Sequence, residues 1–81
     1  MRLDKYLKVS RLVKRRTVAK EMCEAGRVTV NDRPAKPGTE IKPGDRLVIG
    51  FGTKQIRIEV VECRDSCPSG ECESMYRHIE A

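Results

Sequence analysis

The spacing of apolar residues changes at Gly26, and this change restricts the folds that the chain can adopt. Before Gly26 the apolar residues recur three and four positions apart, as they do on one face of an α-helix. After Gly26 they alternate with polar residues, as they do in a half-buried β-strand. Because 81 residues suit one small domain, the sequence predicts an α+β fold, with two short N-terminal helices packed on a small, bent antiparallel β-sheet.

Two helices are predicted before this change. The first spans residues 3–9 and has an apolar face formed by Leu3, Tyr6 and Leu7. The second runs from Val18 to Ala25, with Thr17 as its N-cap and Gly26 just beyond its end, because Thr favours the first of these positions and Gly the second. Its predicted apolar stripe consists of Val18, Ala19, Met22 and Cys23.

Three strands are predicted after Gly26. Residues 27–30 alternate and end at the turn formers Asn31 and Asp32. Residues 46–51 follow the turn Pro43-Gly44-Asp45 and form a hairpin with residues 54–61 through Gly52 and Thr53. Beyond Glu62 the chain becomes polar and acidic, and we expect a loosely held tail with one helical turn around Met75 and Ile79.

Positive charge is concentrated in the first half of the chain. Residues 1–36 contain eleven Lys and Arg against four Asp and Glu, a net charge of +7, whereas residues 37–81 carry six against eight. Such an imbalance indicates a polyanionic partner, although a solvated basic face that keeps the protein soluble is the alternative. The sequence shows neither a membrane-spanning stretch nor a secretory signal, so we expect a cytoplasmic location and no membrane partner.

The segment between the predicted helices concentrates this charge. Lys14, Arg15 and Arg16 directly precede the Thr17 cap, although cations at this end oppose the helix macrodipole by about 0.3 to 1 kcal/mol each. Since selection for stability alone would favour Asp or Glu here, we interpret the cations as functional, and a solvated basic linker is the alternative. The N–H groups of a helix N-terminus and two arginines together suit a phosphate group.

Two helices joined by a short turn are also typical of DNA-binding helix-turn-helix domains. The outward face of the second helix argues against that interpretation, because Glu21 and Glu24 would face the DNA phosphates. With one Phe, two Tyr and no Trp, the chain offers few rings on which single-stranded bases stack. These observations favour recognition of folded or double-helical RNA through its backbone and shape.

Several segments of the chain together resemble the S4 RNA-binding domain. They are Arg2-Leu3-Asp4-Lys5-Tyr6-Leu7, Arg11, Arg16-Thr17-Val18-Ala19-Lys20, Ala25-Gly26-Arg27-Val28-Thr29-Val30-Asn31 and Pro43-Gly44-Asp45. The resemblance covers about residues 1–61 and implies an S4 domain over residues 1–62, followed by an acidic, cysteine-containing tail over residues 63–81. It also implies the S4-like arrangement of helices and sheet, the alpha-L fold.

Among S4 proteins, the chain is most similar to free-standing members that act in ribosome-associated quality control. This resemblance implies a protein that binds large-subunit rRNA and tRNA on a stalled large subunit carrying peptidyl-tRNA, while an RqcH-type factor adds a C-terminal alanine tail. We also expect a monomer without a cofactor. A heat-shock S4 protein that acts on large subunits without promoting tailing is the alternative. Asp4 is expected to orient an arginine. The predicted RNA-binding residues are Arg2, Lys5, Lys8, Arg11, Lys14, Arg15, Arg16, Lys20 and Arg27.

The cysteines of the tail leave another class of function open, a metal- or redox-responsive adaptor. Cys63, Cys67, Cys72 and His78 are candidate zinc ligands, although their spacing is not a common zinc signature. A disulfide-forming tail is an alternative, and ordinary thiols without a metal are the favoured interpretation. Catalysis is not expected, because the chain has one histidine and lacks a nucleophile elbow and a Gly-rich phosphate loop.

Overall fold

A computed structural model of the chain describes residues 1–64 and 72–79. Within these residues, two α-helices come first, α1 (Leu3–Val9) and α2 (Arg16–Glu24). They are followed by β1 (Val28–Val30), β2 (Arg33–Pro34), β3 (Arg46–Phe51), β4 (Lys54–Val60), a 3-10 helix (Cys72–Met75) and β5 (Tyr76–His78). The strands form one antiparallel sheet in the order β2-β1-β3-β4-β5. The predicted α+β class, with two helices and an antiparallel sheet, is confirmed.

The limits of α1 and β3 agree with the prediction, and β1 and β4 differ from it by one residue at an end. Between β1 and β2, Asn31 and Asp32 have φ values of 51° and 67°. A two-residue turn with both φ values positive matches the twist of the strands it joins. The Asn31 side chain donates to Asp45 Oδ1 at 3.2 Å and accepts from the backbone N–H of Arg46 at 3.0 Å. The turn is therefore attached to the start of β3.

The core lies between the helices and one face of the sheet. Along β3 and β4, Leu47 pairs with Ile58 and Ile49 with Ile56. Burying an aliphatic side chain of this size contributes about 1.5 to 3 kcal/mol relative to exposure. The large apolar side chains that are almost fully buried are Leu3, Tyr6, Leu7, Val28, Ile41, Leu47, Ile49, Ile58, Val60 and Met75. No helix within the described residues is long and apolar enough to cross a membrane.

The start of α2 differs from the prediction, because the helix begins at Arg16 with Arg15 as its N-cap. Thr17 therefore lies in the first turn instead of capping it. The backbone N–H of Ala19 donates to the Arg15 carbonyl at 3.0 Å, and no side chain caps this end. The Arg16 guanidinium is bonded to Asp4 of α1, so the first residue of α2 makes a contact between the helices in place of a cap by Thr17.

The end of α2 follows its local sequence. The helix ends at Glu24, one residue before the predicted end. Gly26 has a φ of 75°, which favours glycine. The N–H groups of Gly26 and Arg27 donate to the carbonyls of Cys23 and Met22 at 3.1 and 3.0 Å. This pair of bonds is the Schellman arrangement that was expected from a glycine at this position.

The segment before the C-terminus is the largest departure from the prediction. Residues 72–75 form the 3-10 helix, but Tyr76–His78 is a strand that pairs with β4, so the helical turn expected around Met75 and Ile79 is wrong beyond Met75. The side chain of Met75 is fully buried, and its carbonyl accepts a bond from the Tyr6 hydroxyl at 2.7 Å. A loosely held tail is therefore also wrong for residues 75–78. Pairing with β5 satisfies polar backbone groups along an otherwise open edge of β4.

Candidate nucleic-acid interface

Two arginines that are distant in sequence meet at one buried carboxylate. Asp4 is 3% exposed. Its Oδ1 accepts a bond from Arg2 Nε at 3.3 Å, and its Oδ2 accepts one from Arg16 Nε at 3.4 Å. The backbone N–H of Lys5 also donates to Oδ1, at 2.8 Å. The expectation that Asp4 orients an arginine is confirmed, and it orients two, which we call the arginine pair.

The charges of the arginine pair keep Asp4 ionised. Burial alone would raise the pKa of Asp4, but the hydrogen bonds from Arg16 and the Lys5 amide and the charges of Arg16 and Arg2 lower it below its ordinary value. The side chains of Arg2 and Arg16 are themselves 55% and 50% exposed. Each guanidinium carries five N–H donors, of which the bonds to Asp4 use one from Arg2 and two from Arg16. The arrangement presents two fixed cationic groups to solvent.

A loop that precedes β3 holds Arg2 in place. The backbone N–H groups of Leu3 and Asp4 donate to the carbonyls of Thr39 and Pro37 at 2.9 and 3.1 Å. The N-terminal amino group contacts the carboxylate of Glu40. Gly38 lies beside the Arg2 guanidinium. This contribution was not predicted, because the prolines and glycine of the loop indicate only that the chain breaks there.

The turn between α1 and α2, residues 10–15, carries three further cations of the predicted site. Arg11 has a φ of 63°, in the left-handed region, and its N–H donates to the Lys8 carbonyl at 3.1 Å. The N–H of Val13 donates to the Leu7 carbonyl at 3.0 Å, and the Val13 side chain is buried. These bonds close the turn against the end of α1. The side chains of Arg11, Lys14 and Arg15 are exposed.

An apolar groove of about 480 Å³ lies beside this turn. We call it the Phe51 groove, and it is lined by Leu12, Val13, Lys14, Arg15, Val18 and Phe51. Val18 was predicted in the apolar stripe of the second helix, but it is 40% exposed. Ala19, Met22 and Cys23 occupy the buried face, and Val18 is rotated about 100° from Ala19 around the helix. Val18 therefore faces the groove instead of the core.

All nine predicted RNA-binding residues lie in the described part of the chain. All but the partly buried Lys5 are exposed. The structure unites Arg2 with Arg16 at Asp4, and Lys14 with Arg15 at the Phe51 groove. Arg27 lies beyond the other end of α2, in a second hollow with Glu21 and Met22. Contact of these nine residues with RNA stays a prediction.

Phe51 is the aromatic lining residue of the groove, and sequence reasoning did not assign it to the site. It follows Ile49 by two positions in β3, and side chains two apart in a strand point to the same face. That periodicity places Phe51 on the core face at the end of the strand. The position of the inter-helix turn beside it could not be read from spacing.

The cysteines are described only in part. Burial is the main cause that raises the pKa of Cys23 to about 11, and burial also raises the pKa of the half-buried Cys63. Both shifts favour the protonated thiol over the thiolate. His78 packs edge-on against the ring of Tyr76. Cys67 and the side chain of Cys72 lie outside the described residues, and within those residues no three candidate ligands come together for a metal.

Comparison with known proteins identifies the family. A model of the S4 domain matches residues 1–47, which include both helices and the first two strands. The chain is 54% identical to the RQC P-site tRNA stabilizing factor of Halalkalibacterium halodurans over 94% of this chain and 86% of that protein. It is 49% identical to the protein of the same name from Bacillus subtilis, over 94% and 88%.

A solved structure extends the similarity to the whole fold. Heat shock protein 15 of Vibrio cholerae, whose structure is trimeric, superposes with a TM-score of 0.91 at 30% identity. The superposition covers 98% of this chain and 81% of that one. It includes the described sheet as well as the helices that the S4 domain model matches. This chain therefore belongs to the S4 domain family and, within it, to the RQC P-site tRNA stabilizing factors.

Proposed function

We propose that this protein binds RNA on the large ribosomal subunit and holds P-site tRNA against rRNA when a nascent chain has stalled. The observation that carries the proposal is the arginine pair, in which buried Asp4 fixes the half-exposed guanidinium groups of Arg2 and Arg16. Planar guanidinium groups match phosphate oxygens in a bidentate manner. Groups oriented in advance lose less side-chain freedom on binding. The names of the relatives support tRNA as one of the partners.

In this role the protein is a cytoplasmic binding factor and not an enzyme. It acts as a monomer without a cofactor. It steadies the tRNA while an RqcH-type factor extends the stalled chain with alanine. The names of the relatives support the quality-control setting, and the sequence resemblance supports the tailing step.

The phosphate contacts of the arginine pair are tested by the salt dependence of binding to purified large subunits. For each phosphate contact, the logarithm of the association constant falls by about 0.7 to 0.9 per logarithmic unit of salt. We expect Arg16→Ala to weaken binding and to reduce this slope by about one contact. Arg57→Ala removes the same charge from an exposed position on β4 and serves as the matched control, with an unchanged slope. If the salt dependence of binding were the same for Arg16→Ala as for the wild type, the proposal would be contradicted.

A heat-shock function on large subunits is the second candidate, and the likeness to heat shock protein 15 favours it. Affinity purification of the tagged chain from cells separates the two. Quality control predicts that the recovered subunits carry peptidyl-tRNA together with an RqcH-type factor. Subunits with peptidyl-tRNA but without such a factor would favour the heat-shock function. Recovery of no large subunits would contradict both candidates, and an Arg2→Ala, Arg16→Ala variant provides the binding-deficient control.

A further inference from the structure

The Phe51 groove leaves apolar surface open beside the cationic turn. Leu12 and Phe51 are only partly buried there, and Val18 is 40% exposed. The groove volume of about 480 Å³ lies within the range of about 300 to 1,000 Å³ that is typical of pockets for small organic groups. The surface that the proposed function turns toward RNA thus contains an apolar depression as well as charges.

Both walls of the groove are anchored by backbone hydrogen bonds. On one side, the Val13 N–H bond to Leu7 fixes the inter-helix turn. On the other, the N–H of Gly50 donates to the Arg27 carbonyl at 2.8 Å and holds the end of β3 near α2. Phe51 follows directly and pairs with Lys54 across the hairpin. The groove is therefore formed before a ligand binds.

The lining combines an aromatic ring and aliphatic side chains with two cations. Lys14 and Arg15 line the same groove as Phe51, and both are exposed. An apolar protein side chain would fit the floor but would leave the two cations without an anion. An unpaired nucleobase fits both features, because its ring face is apolar and stacks on aromatic rings, while its flanking phosphates are anionic.

We propose that the Phe51 groove receives one unpaired base of the bound RNA. The base stacks on Phe51 and contacts Val18, and Lys14 and Arg15 neutralise the phosphates on its two sides. This inference rests on the proposed function, since it names a feature of the RNA that the protein recognises. One ring is enough for one base, so the scarcity of aromatic residues does not oppose it.

Three forms of one blunt-ended RNA duplex test the groove with the full-length protein. They carry a bulged 2-aminopurine, an abasic site at the bulge, or no bulge. We expect the RNA with the bulged base to bind about 5- to 150-fold more tightly than the abasic form, because the abasic form lacks the one base that stacks on Phe51. Stacking on Phe51 should also change the fluorescence of 2-aminopurine when the protein binds.

Two variants of Phe51 separate stacking from apolar packing. Phe51→Leu keeps an apolar side chain at the half-buried position but removes the ring, so it should abolish both the preference for the bulged base and the fluorescence change. Phe51→Tyr keeps the ring and should retain both. Each variant should bind the fully paired duplex with wild-type affinity and salt dependence, which shows that it is folded.

Two outcomes would overturn the inference without affecting the phosphate contacts. They are equal affinity of the wild type for the bulged and abasic forms, and a preference that persists in Phe51→Leu. Loss of the RqcH-type factor from affinity-purified Phe51→Leu, with the RNA preference intact, would assign the groove to a protein partner instead. By contrast, if none of the duplexes and no large subunit binds with a salt-dependent affinity, the proposed function itself fails, and the groove inference fails with it.

Discussion

The turn between the helices and the turn between β1 and β2 use left-handed backbone in different ways. In the sheet, this conformation falls on Asn31 and Asp32, which tolerate it and are common in such turns. Between the helices it falls on Arg11, where a residue with a Cβ atom adopts it at a cost of about 1 to 2 kcal/mol. Residues that depart from local preference concentrate at functional sites. We therefore predict that the charge of Arg11 contributes to RNA binding.

A buried aspartate lies beside each of these turns, and the partners of the two carboxylates differ. Asp4 of α1 is bonded to Arg16, which follows the inter-helix turn, and Asp45 is bonded to Asn31 of the turn between β1 and β2. Asp45 accepts bonds from the Asn31 side chain at 3.2 Å and from the Lys42 N–H at 2.9 Å. These partners are uncharged and close a turn of the sheet. Asp4 instead holds two charged side chains. A buried carboxylate thus stabilises the fold in one region and, as we propose, presents a binding surface in the other.

The largest effect is expected from Met75→Ala, which weakens the core and leaves the cations beside the inter-helix turn in place. Met75 directly precedes β5 and is fully buried, and truncation of such a side chain costs about 2 to 5 kcal/mol. We expect the free energy of unfolding, measured with urea, to fall by this amount while the folded fraction keeps its RNA affinity. Met75→Leu, which keeps the volume, should cost less than about 1.5 kcal/mol. A loss of less than about 0.5 kcal/mol for Met75→Ala would show that the segment does not pack on the core.

Replacement of Asp4 and of Asp45 by alanine tests whether the first carboxylate serves RNA binding and the second only the stability of the fold. Asp4→Ala removes the acceptor of four hydrogen bonds from three residues, and loss of a bond to a charged group costs about 1.5 to 3 kcal/mol of stability. It also releases the arginine pair, so RNA affinity should fall by about tenfold, or roughly 1.4 kcal/mol, although the change makes the surface more positive. Asp45→Ala should destabilise the fold without a change in RNA affinity. Binding and urea denaturation of the two variants measure both effects.

An RNA affinity that rises in Asp4→Ala would contradict the positioning role of Asp4. In that case the net charge of the surface, and not the geometry of the arginines, would determine binding. Asp4→Asn provides an intermediate, because it keeps an oxygen that can accept a bond but lacks the charge that holds Arg2 and Arg16.

Arg11→Gly should change stability and binding in opposite directions. Glycine relieves the left-handed backbone at Arg11, whose φ is 63°, but it also increases the entropy of the unfolded chain. We expect a net gain in the free energy of unfolding of about 0.5 to 1 kcal/mol, together with a weaker, less salt-dependent affinity for large subunits. Asp32→Gly is the matched control and should leave binding unchanged. Equal RNA binding by Arg11→Gly and the wild type would show that the strained arginine does not contact RNA.

Local patterns in the sequence were sufficient to predict the limits of those helices and strands whose residues follow the helical or alternating spacing. Alternation predicted the limits of β3, and the apolar spacing of Leu3, Tyr6 and Leu7 predicted those of α1. Gly26 predicted the end of α2 to within one residue. The concentration of cations before α2 was also evident, because charge can be counted without a structure.

What could not be predicted depends on contacts between distant segments. α2 begins at Arg16, whereas the sequence predicted a start after Thr17. The Arg16 side chain is bonded to Asp4, which lies twelve residues earlier in the chain. β5 has three residues, too few for a recognisable alternation, and it forms against an edge of β4 that exists only in the folded sheet. The Phe51 groove likewise arises where β3 and the inter-helix turn meet.

The smallest expected effect is the acid sensitivity of the arginine pair. The pKa of Asp4 is lower in the folded protein than its ordinary value, because bonds and charges from Arg16, Lys5 and Arg2 outweigh burial. The unfolded chain therefore binds a proton at a higher pH than the folded one, and the stability that the Asp4 charge provides is lost as the pH falls. It is complete above the unfolded pKa of about 3.9 and disappears as the pH passes below the folded pKa.

This contribution is the difference in the free energy of unfolding between the wild type and Asp4→Asn, measured with urea from about pH 7 to about pH 2.5 at constant ionic strength. The difference should be constant near neutral pH and shrink only in the acid range. It should be smaller than the effect of Asp4→Ala, since protonation leaves the side chain and an acceptor oxygen in place. A difference that stays constant to the lowest pH, or that shrinks already near neutral pH, would mean that Arg2 and Arg16 do not stabilise the charge on Asp4, and the arginine pair would then be no better ordered than the exposed cations of the neighbouring turn.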